Sequence, residues 1–440
     1  MEEIELNNDE LRNTKCNLDG DPKVGWLCNK NGLLLKTYGW LVKNAIGIIL
    51  LIHGLKSHTR LTFMRMNIKF PNDSEELVVD NDSYYIYKDS WIENFNKNGY
   101  SVYGLDLQGH GESETWKNVR GDFSSFDDLV DDVIQYMNQI QDEISNDNQT
   151  NGESYDIVST KKKRLPMYIV GHSMGGTIGL RVLQLLNKEK EYKVDSGESS
   201  NYKKCSVMLD NPTNANEIDN DMYDMNSSKN DDPCTSSAST FATTNAIAST
   251  SSKCEGHHNY LDKFNIKGCV TLSGMMIIKI LWNIGLNSFK YFYLPIMSFL
   301  ACLAPNKIIS SEMRYKKSEY IDTICKYDKF RNNIGLKFRC VSELIKGTLA
   351  LDSNINYMPK DVPLLFVHSK DDTVCCFKGA HSFYNKVDVC KKEFHAVEDM
   401  HHAITVEPGN EKIIKIVMDW ICNLGKNGQD EIGDEKENEI

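Results

Sequence analysis

Short apolar runs recur along the chain, and each run ends in glycine or polar residues. The runs are rich in Val, Ile and Leu without polar alternation, which is typical of strands buried on both faces of a parallel sheet. They predict strands at residues 46–52, 100–105, 167–170, 268–272 and 362–367. Ligands bind at the carboxyl ends of strands in open α/β sheets, so the polar residues after each run are candidate site residues.

Apolar residues at helical spacing fill the intervals between these strands. They predict helices at residues 91–97, 127–144 and 177–187. Strands that alternate with helices indicate an α/β, doubly wound domain. We therefore predict a mostly parallel central sheet flanked by helices.

Three stretches show neither the continuous apolar runs of the predicted strands nor the helical spacing of the predicted helices. Residues 145–163 and 188–262 are rich in Asn, Ser, Thr, Asp and Lys, and residues 426–440 are strongly acidic. Such segments bury too little apolar surface to offset the entropy lost on ordering. We predict a disordered low-complexity insertion at 188–262 and a disordered acidic tail at 426–440.

Charge and cysteine usage narrow the function classes. The formal net charge is −12, which argues against nucleic-acid binding because a phosphate-binding face needs an excess of positive charge. The thirteen cysteines are scattered without a C-x-x-C pair, which suits neither a zinc site nor a disulfide framework. We predict free thiols and no metal.

The start of the chain bears on its location. Residues 1–5 are acidic, whereas a signal peptide begins with positive charge followed by an apolar run. We therefore expect an intracellular, cytoplasmic protein. The longest apolar stretch, residues 275–305, is interrupted by Lys279 and Lys290, so we interpret it as amphipathic and not as a bilayer span.

The sharpest local signal is a G-x-S-x-G sequence from Gly171 to Gly175, centred on Ser173. It follows a predicted strand and opens a predicted helix. This is the context of a nucleophile elbow, in which small flanking residues let the backbone turn tightly and expose the serine hydroxyl. We predict that Ser173 is a nucleophile, and an ordinary glycine-rich turn is the structural alternative.

A serine hydroxyl is a weak nucleophile and needs a histidine base oriented by a carboxylate. In this architecture the acid and then the histidine follow the serine along the chain. The pair Asp371-Asp372 follows the last predicted strand, and His401-His402 comes nearer the C-terminus. We predict Asp372 as the acid, because the acid commonly ends such a turn, with Asp371 as a solvated neighbour. The alternative interpretation of the histidine pair is that both residues lie on the surface before the final helix.

The oxyanion that develops during acyl transfer needs two backbone N–H donors. The residue after the nucleophile, Met174, supplies one in our prediction. The loop His53-Gly54-Leu55 follows an early strand, and we predict that the N–H of Leu55 supplies the other. This chemistry requires no cofactor, and we predict none.

Three segments together resemble the landmarks of monoacylglycerol lipases and lysophospholipases. They are HGLKSH at residues 53–58, DLQGHGES at 106–113 and GHSMGG at 171–176. Residues 89–100 are similar to the lysophospholipase-like serine hydrolases of malaria parasites. The resemblance covers residues 25–187 and 264–425 and implies the α/β-hydrolase fold. It also favours His402 as the base, because residues 402–407 resemble the H-x-x-x-x-[DE] run that follows the base in monoglyceride-lipase-like enzymes.

The family resemblance implies a helical cap inserted before the acid-bearing strand, and residues 275–358 exceed what a crossover needs. We therefore predict a hydrolase core at 25–274 and 359–425 with a cap at 275–358. Aromatic residues in the first half of the cap, among them Trp282 and Phe289, are the candidate substrate-binding residues. They would form an acyl pocket or a face that contacts a membrane peripherally, although packing of the cap onto the sheet explains them as well.

These features predict a serine hydrolase that cleaves carboxylic esters through an acyl-enzyme. The resemblance implies monoacylglycerols or lysophospholipids, and the negative net charge favours neutral or zwitterionic headgroups. Alternatives are a general short-chain carboxylesterase, a peptide amidase with the same triad, and a non-catalytic scaffold that binds lipid or protein. The joint presence of Ser173, Asp372 and His402 favours an enzyme over a scaffold.

Overall fold

A computed structural model describes residues 18–69, 78–79, 84–150, 164–196, 263–278, 289–310 and 318–437. Residues 193–258 form a unit separate from the rest of the chain, and all but the first four of them lie outside the described ranges. Residues 1–192 and 259–440 form the other unit. The architecture below belongs to that larger unit.

An eight-stranded sheet formed by described residues runs through this unit. Its spatial order is β1 (Lys23–Cys28), β2 (Leu34–Trp40), β8 (Tyr100–Leu105), β3 (Gly47–Ile52), β9 (Met167–His172), β10 (Ile266–Leu272), β13 (Leu364–Ser369) and β14 (Lys392–Val397). Adjacent strands are parallel from β8 to β14, and β2 is antiparallel to both of its neighbours. The strands β3, β8, β9 and β13 are buried along their whole length, which explains their uninterrupted apolar sequences.

Short strand pairs and helices complete the core. The pairs are β4 (Arg65–Met66) with β7 (Tyr85–Ile86), and β5 (Ile68–Lys69) with β6 (Val78–Val79). The helices are α1 (Thr59–Phe63), α2 (Trp91–Lys97), α3 (Phe126–Thr150), α4 (Met174–Ser196), α8 (Phe377–Lys386) and α9 (Asn410–Glu437), with a 3-10 turn at Trp116–Asn118. Apolar side chains from α2, α9 and the sheet share one buried cluster, which includes Trp91, Phe95, Val417 and Trp420.

The sheet confirms the predicted fold class, and each predicted strand coincides with an observed one to within a few residues. The strands β1, β2 and β14 were not predicted. β1 and β14 lie at the two edges of the sheet and are largely half-buried or exposed. Their sequences mix polar and apolar residues for that reason, so they lack the continuous apolar run that marks a central strand.

The chain between β10 and β13, which we call the cap segment, contains the cap predicted at residues 275–358. It contains a π-helical turn (Phe289–Tyr293), α5 (Leu294–Leu303), β11 (Ile308–Ser310), α6 (Glu319–Tyr327), β12 (Leu336–Lys337), α7 (Phe338–Ser353) and a 3-10 turn (Ile355–Tyr357). The antiparallel pair β11–β12 was not expected. Helix α7 packs closely on α3. A side-chain carbon added to Gly347 of α7 would lie only 2.4 Å from the ring of Phe126, the first residue of α3. Among the described helices, none has the length and apolarity required to cross a bilayer.

Parts of the predicted disordered segments are helical. Helix α4 includes residues 188–196 and α9 includes 426–437, so the prediction of disorder was wrong for these residues. Helix α3 extends the helix predicted at 127–144 to Thr150. A helix that is already nucleated gains one backbone hydrogen bond per added residue, and Lys, Glu and Gln are good helix formers. The rest of the predicted insertion and tail, at 197–262 and 438–440, lies outside the described residues, as do residues 151–163.

Candidate active site

Ser173 lies on the tight turn between β9 and α4, with its backbone in the left-handed region at φ 55°. Such a conformation costs a non-glycine residue about 1–2 kcal/mol. The turn is sterically possible because two flanking residues are glycines, where a side chain would collide with the backbone. A side-chain carbon on Gly171 would lie 2.3 Å from the Gly175 carbonyl oxygen, and one on Gly175 would lie 2.2 Å from that of Ile52. The G-x-S-x-G sequence therefore folds as a nucleophile elbow.

The predicted acid and base meet the serine at the carboxyl edge of the sheet. His402 follows β14, and its Nε2 lies 2.9 Å from the Ser173 Oγ. Asp372 follows β13, and its Oδ2 lies 2.8 Å from the His402 Nδ1. All three residues are buried, with 6%, 3% and 1% of Ser173, His402 and Asp372 exposed. The structure thus brings together three residues that are far apart in the sequence, in the arrangement that general-base activation of a serine requires.

The Asp372 carboxylate is held on both of its oxygens. Its Oδ1 accepts hydrogen bonds from the N–H groups of Val374 and Cys375, at 2.7 and 2.8 Å. Burial alone would raise the pKa of Asp372, but the neighbouring imidazoles of His402 and His368 outweigh it and hold that pKa well below its usual range. The carboxylate is therefore ionised and orients the His402 ring. Asp371 is exposed, as expected for the solvated neighbour.

Glu407 fixes the loop that carries His402. Its two carboxylate oxygens accept the N–H groups of the residues on either side of that histidine, His401 at 2.6 Å and Ala403 at 3.0 Å. Glu407 is buried, with 5% of its surface exposed. The final position of the H-x-x-x-x-[DE] run is thus a clamp on the backbone of the base, a role that the sequence pattern did not reveal.

The loop predicted to complete the oxyanion site packs directly against the nucleophile. A side-chain carbon on Gly54 would lie 3.0 Å from the Ser173 Cβ. The Leu107 N–H donates to the His53 Nε2 at 2.9 Å, so the His53 Nδ1 carries the proton and donates to the Gly54 carbonyl at 2.8 Å. Burial, with repulsion from His110, lowers the pKa of His53 to about 3, which keeps the ring neutral. The loop before Leu55 is therefore held rigidly, and the oxyanion role of Leu55 and Met174 stays a prediction.

A small cavity of about 40 Å³ opens onto Ser173 and His402. Leu55 and Leu61 line it from the core, and Ile321 and Arg331 line it from the cap segment. The candidate substrate-binding residue Trp282 lies outside the described residues, and Phe289 begins the π-helical turn but its side chain is not described. Within the described residues, the part of the cavity wall that the cap segment supplies comes instead from α6 and the loop after it, which the aromatic composition of the cap did not indicate.

Cys375 lies beside the nucleophile, and the sequence analysis gave it no role. Its Sγ is 4.0 Å from the Ser173 Oγ, and its thiol clusters with ligand atoms of Asp372 and His402 within 4.8 Å. Burial raises the pKa of Cys375 well above its usual value. The thiol is therefore protonated and does not compete with Ser173 as a nucleophile, since the thiolate is the attacking species. The sequence signal that could have identified Cys375 is its position three residues after the predicted acid, Asp372.

A buried polar cluster joins the cap segment to the core next to the site. The Nε2 of His58, on the core loop, lies 3.1 Å from the Oδ2 of Asp328 at the end of α6, and the Tyr85 hydroxyl donates to the same oxygen at 2.9 Å. The His58 Nδ1 accepts the Leu61 N–H, so Nε2 carries the proton. We call His58, Tyr85 and Asp328 the cap latch.

Comparisons with known proteins agree with this geometry. A family model described as serine aminopeptidase, S33 (Hydrolase_4), matches residues 81–196 and 253–409. These residues make up more than half of the chain, so the chain belongs to the S33 family of serine hydrolases.

Two solved structures share the fold. A soluble variant of monoglyceride lipase from Saccharomyces cerevisiae, in complex with a substrate analogue, superposes with a TM-score of 0.54 at 16% identity, over 92% of this chain and 95% of that chain. A monoacylglycerol lipase from Paleococcus ferrophilus superposes with a TM-score of 0.51 at 13% identity, over 89% and 99%. The chain therefore has the α/β-hydrolase fold.

One curated relative matches over a short segment. An uncharacterized abhydrolase domain-containing protein of Dictyostelium discoideum is 32% identical over 72 residues, which are 16% of this chain and 8% of that protein. The match thus spans less than a tenth of the relative's length.

Proposed function

We propose that this hydrolase cleaves carboxylic esters, with Ser173 as nucleophile, His402 as general base and Asp372 as the group that orients the base. The observation that carries the proposal is the continuous hydrogen-bonded chain from the Ser173 Oγ through His402 to Asp372, with separations of 2.9 and 2.8 Å. A non-catalytic scaffold would not require this alignment of three buried groups.

The geometry supports a two-step reaction. The Ser173 Oγ attacks the ester carbonyl as its proton passes to the His402 Nε2, and the resulting oxyanion faces the N–H groups of Leu55 and Met174. Collapse of the tetrahedral intermediate expels the alcohol, which takes the proton from Nε2 and leaves an acyl-serine. Water, deprotonated by His402, then repeats the attack, releases the carboxylic acid and restores the serine.

Monoacyl lipids are the substrate class we favour, as monoacylglycerols or lysophospholipids with neutral or zwitterionic headgroups. Leu61, Ile321 and Ile324 give the cavity an apolar wall beside the nucleophile, which suits an acyl chain. Both solved structures of similar fold are named as lipases of monoacylglycerol. The likeness of residues 89–100 to the parasite lysophospholipase-like enzymes supports lysophospholipids within this class.

A chain-length series tests the substrate class. Purified protein is assayed on monoacylglycerols and lysophosphatidylcholines with acyl chains from roughly 4 to 18 carbons, because the apolar area available for burial grows with each methylene. We expect turnover of monoacyl lipids, with p-nitrophenyl butyrate cleaved alongside. Ser173→Ala is the control for contaminating esterases. Cleavage of the short ester without any monoacyl lipid would instead indicate a general short-chain carboxylesterase.

We also propose peripheral membrane contact through the cap segment. Large apolar side chains are exposed there over a short stretch: Tyr291, Phe292, Ile296, Phe299, Leu303, Ile308 and Ile309. Exposed apolar side chains concentrated in one stretch of the chain are typical of an interfacial face. Phe299→Glu should reduce co-sedimentation with phosphatidylcholine vesicles, whereas Val24→Glu, at another exposed apolar position on β1, should not. Equal vesicle binding by both variants would refute the contact.

An intracellular, cytoplasmic location remains part of the proposal. Within the described residues, cysteines 28, 269, 302, 325, 340, 375, 376, 390 and 422 form no disulfide bonds and are therefore thiols. Free thiols are the state that a reducing compartment maintains. Localisation of a fluorescent fusion in the source cell would test this.

A further inference from the structure

A second histidine contacts the carboxylate of the triad acid. His368 lies near the end of β13, four residues before Asp372, and its Nε2 is 3.3 Å from the Asp372 Oδ2. The same oxygen is 2.8 Å from the His402 Nδ1. His368 and Asp372 are each only 1% exposed. One buried carboxylate oxygen therefore faces two imidazole rings.

The surroundings of His368 hold its ring in this position. Its backbone belongs to β13 and pairs with Ala396 of β14. The Phe377 ring at the start of α8 packs nearly perpendicular to the imidazole, with 5.9 Å between the ring centroids. Among the described residues, the His368 Nε2 has no aligned hydrogen-bond partner. A nitrogen without a proton would direct its lone pair at an anionic oxygen, so we place a proton on Nε2. The positive end of the N–H then lies beside the ionised Asp372 carboxylate.

This contact opposes the effect of Asp372 on the base. Asp372 favours the imidazolium that forms when His402 takes the serine proton. A positive group at the same oxygen offsets part of that attraction, through its N–H dipole if His368 is neutral and through its full charge if it is protonated. Loss of His368 therefore makes His402 easier to protonate in both cases. Since only unprotonated His402 can act as a general base, such a variant needs a higher pH to reach full activity.

Other titratable groups surround this pair, and they are the same in the wild type and in any variant of His368. They are His172, Asp371, Cys375, His381, His401 and Glu407. Burial, together with repulsion from His402, lowers the pKa of His172 to about 3, and burial raises the pKa of Cys375 well above its usual value. Both groups are therefore uncharged near neutral pH. Asp371 and His381 are exposed, so water and salt screen their charges.

We propose that His368 is a positioning residue for the triad, which holds the Asp372 carboxylate and limits its attraction for a second proton on His402, so that the base stays available at lower pH. This role rests on the proposed ester hydrolysis and refines it. His368 is not among the residues that line the active-site cavity, so it acts through Asp372. The structural alternative is that His368 only fills the space between β13 and α8.

The pH dependence of ester cleavage separates these two roles. We measure kcat/KM on p-nitrophenyl butyrate from about pH 5 to about pH 9 for the wild type and for variants of this position. His368→Leu removes the N–H and keeps a side chain of similar size, and His368→Met does the same with a more adaptable side chain. His368→Gln keeps an N–H donor but cannot titrate. The control is His381→Leu, which removes an exposed histidine that contacts the same Phe377 ring.

The expected change is a shift of the profile along the pH axis. His368→Leu and His368→Met should move the acidic limb upward by about 0.5 to 1 pH unit, the size expected for the loss of one dipole beside a carboxylate. Below the limb, kcat/KM is then about three- to tenfold lower than in the wild type, whereas the plateau changes less than about threefold. His368→Gln should recover at least about half of the shift, and His381→Leu should leave the limb unchanged.

Proton NMR of the resting protein provides a readout that does not depend on turnover. The proton between the His402 Nδ1 and Asp372 gives a signal far downfield, which is assigned by its loss in His402→Ala. The pH midpoint at which this signal titrates should move upward in His368→Leu by the same amount as the acidic limb. A side chain that only fills space would leave that midpoint in place.

Several results in folded variants would overturn the positioning role. One is a limb and a downfield signal that titrate in His368→Leu as they do in the wild type. A shift to lower pH, or an equal shift in His368→Leu and His368→Gln, would also overturn it, since neither follows from loss of an N–H beside the carboxylate. If the wild type cleaves no ester, the proposed hydrolysis fails, and the NMR titration still tests the contact of His368 with the acid.

Discussion

Asp372→Asn is the substitution for which the structure dictates a specific chemical failure. The Oδ1 of Asp372 accepts two backbone N–H groups, from Val374 and Cys375. An asparagine must direct its carbonyl oxygen there, because its amide group would meet those donors with donors of its own. The asparagine NH₂ then faces the His402 Nδ1, which must become an acceptor. His402 therefore carries its proton on Nε2 and can no longer take one from Ser173.

Two causes add to the expected loss of kcat. His402 is held in the wrong tautomer, and the negative charge that stabilises its imidazolium form is gone. In serine proteases the same change in the triad acid lowers kcat about 10⁴-fold, which corresponds to roughly 5 kcal/mol in the activation free energy. We expect a similar loss here, because the hydrogen-bond pattern around Asp372 is the same in kind. The matched control is Asp371→Asn, an exposed neighbour that should lose less than about threefold, in the range of surface substitutions.

The assay is kcat on p-nitrophenyl butyrate, with melting curves for both variants. A loss of less than about tenfold for Asp372→Asn in folded protein would contradict the reasoning, since so mild an effect is incompatible with a blocked general base. A larger loss for Asp371→Asn than for Asp372→Asn would show that the acid was assigned to the wrong residue.

Three further predictions follow from contacts outside the triad. Glu407→Gln keeps one acceptor of the clamp and loses the other, so kcat should fall about tenfold with little change in KM, whereas the exposed control Glu411→Gln should leave both unchanged; a change in KM alone would contradict the clamp. Burial opposes ionisation of Asp328, but His58 and the hydrogen bonds outweigh it and lower its pKa, so its stabilising contribution is present above about pH 4 and is lost as the pH falls through the folded-state pKa. Asp328→Asn should lower the unfolding free energy at pH 7 by about 2 kcal/mol and by less near pH 3, and a pH-independent difference in urea melts would refute this. Deletion of residues 201–258, which belong to the separate unit, should leave the melting temperature and ester turnover within about twofold of the full chain, and loss of folding would show that the segment is structural.

The sequence predicted the features that local physics determines. The elbow around Ser173 is encoded within a few residues, because the strand, the two close-packed glycines and the helix are contiguous. Asp372 and His402 each follow a strand, and the fixed order of the triad along the chain made their roles accessible. The central strands were recognisable because burial on both faces makes them uniformly apolar.

The features that the sequence did not predict depend on long-range contacts. His58 and Asp328 are 270 positions apart, and no local pattern pairs them. The hydrogen bond from the Asn332 N–H to the Lys56 carbonyl likewise forms only when the loop after α6 folds against the loop after β3. The clamp by Glu407 needs the fold of the His402 loop, and the half-exposed edge strands carry a mixed pattern that resembles loop sequence.

Site-resolved labelling with a fluorophosphonate probe tests the central claim most directly. The probe phosphonylates a serine only when a neighbouring base activates it, and digestion followed by mass spectrometry locates the adduct. The account predicts one adduct on Ser173, which is lost in Ser173→Ala together with ester turnover while the melting curve stays unchanged. An adduct on a different residue, or folded Ser173→Ala protein that still hydrolyses esters at more than about a hundredth of the wild-type rate, would contradict it.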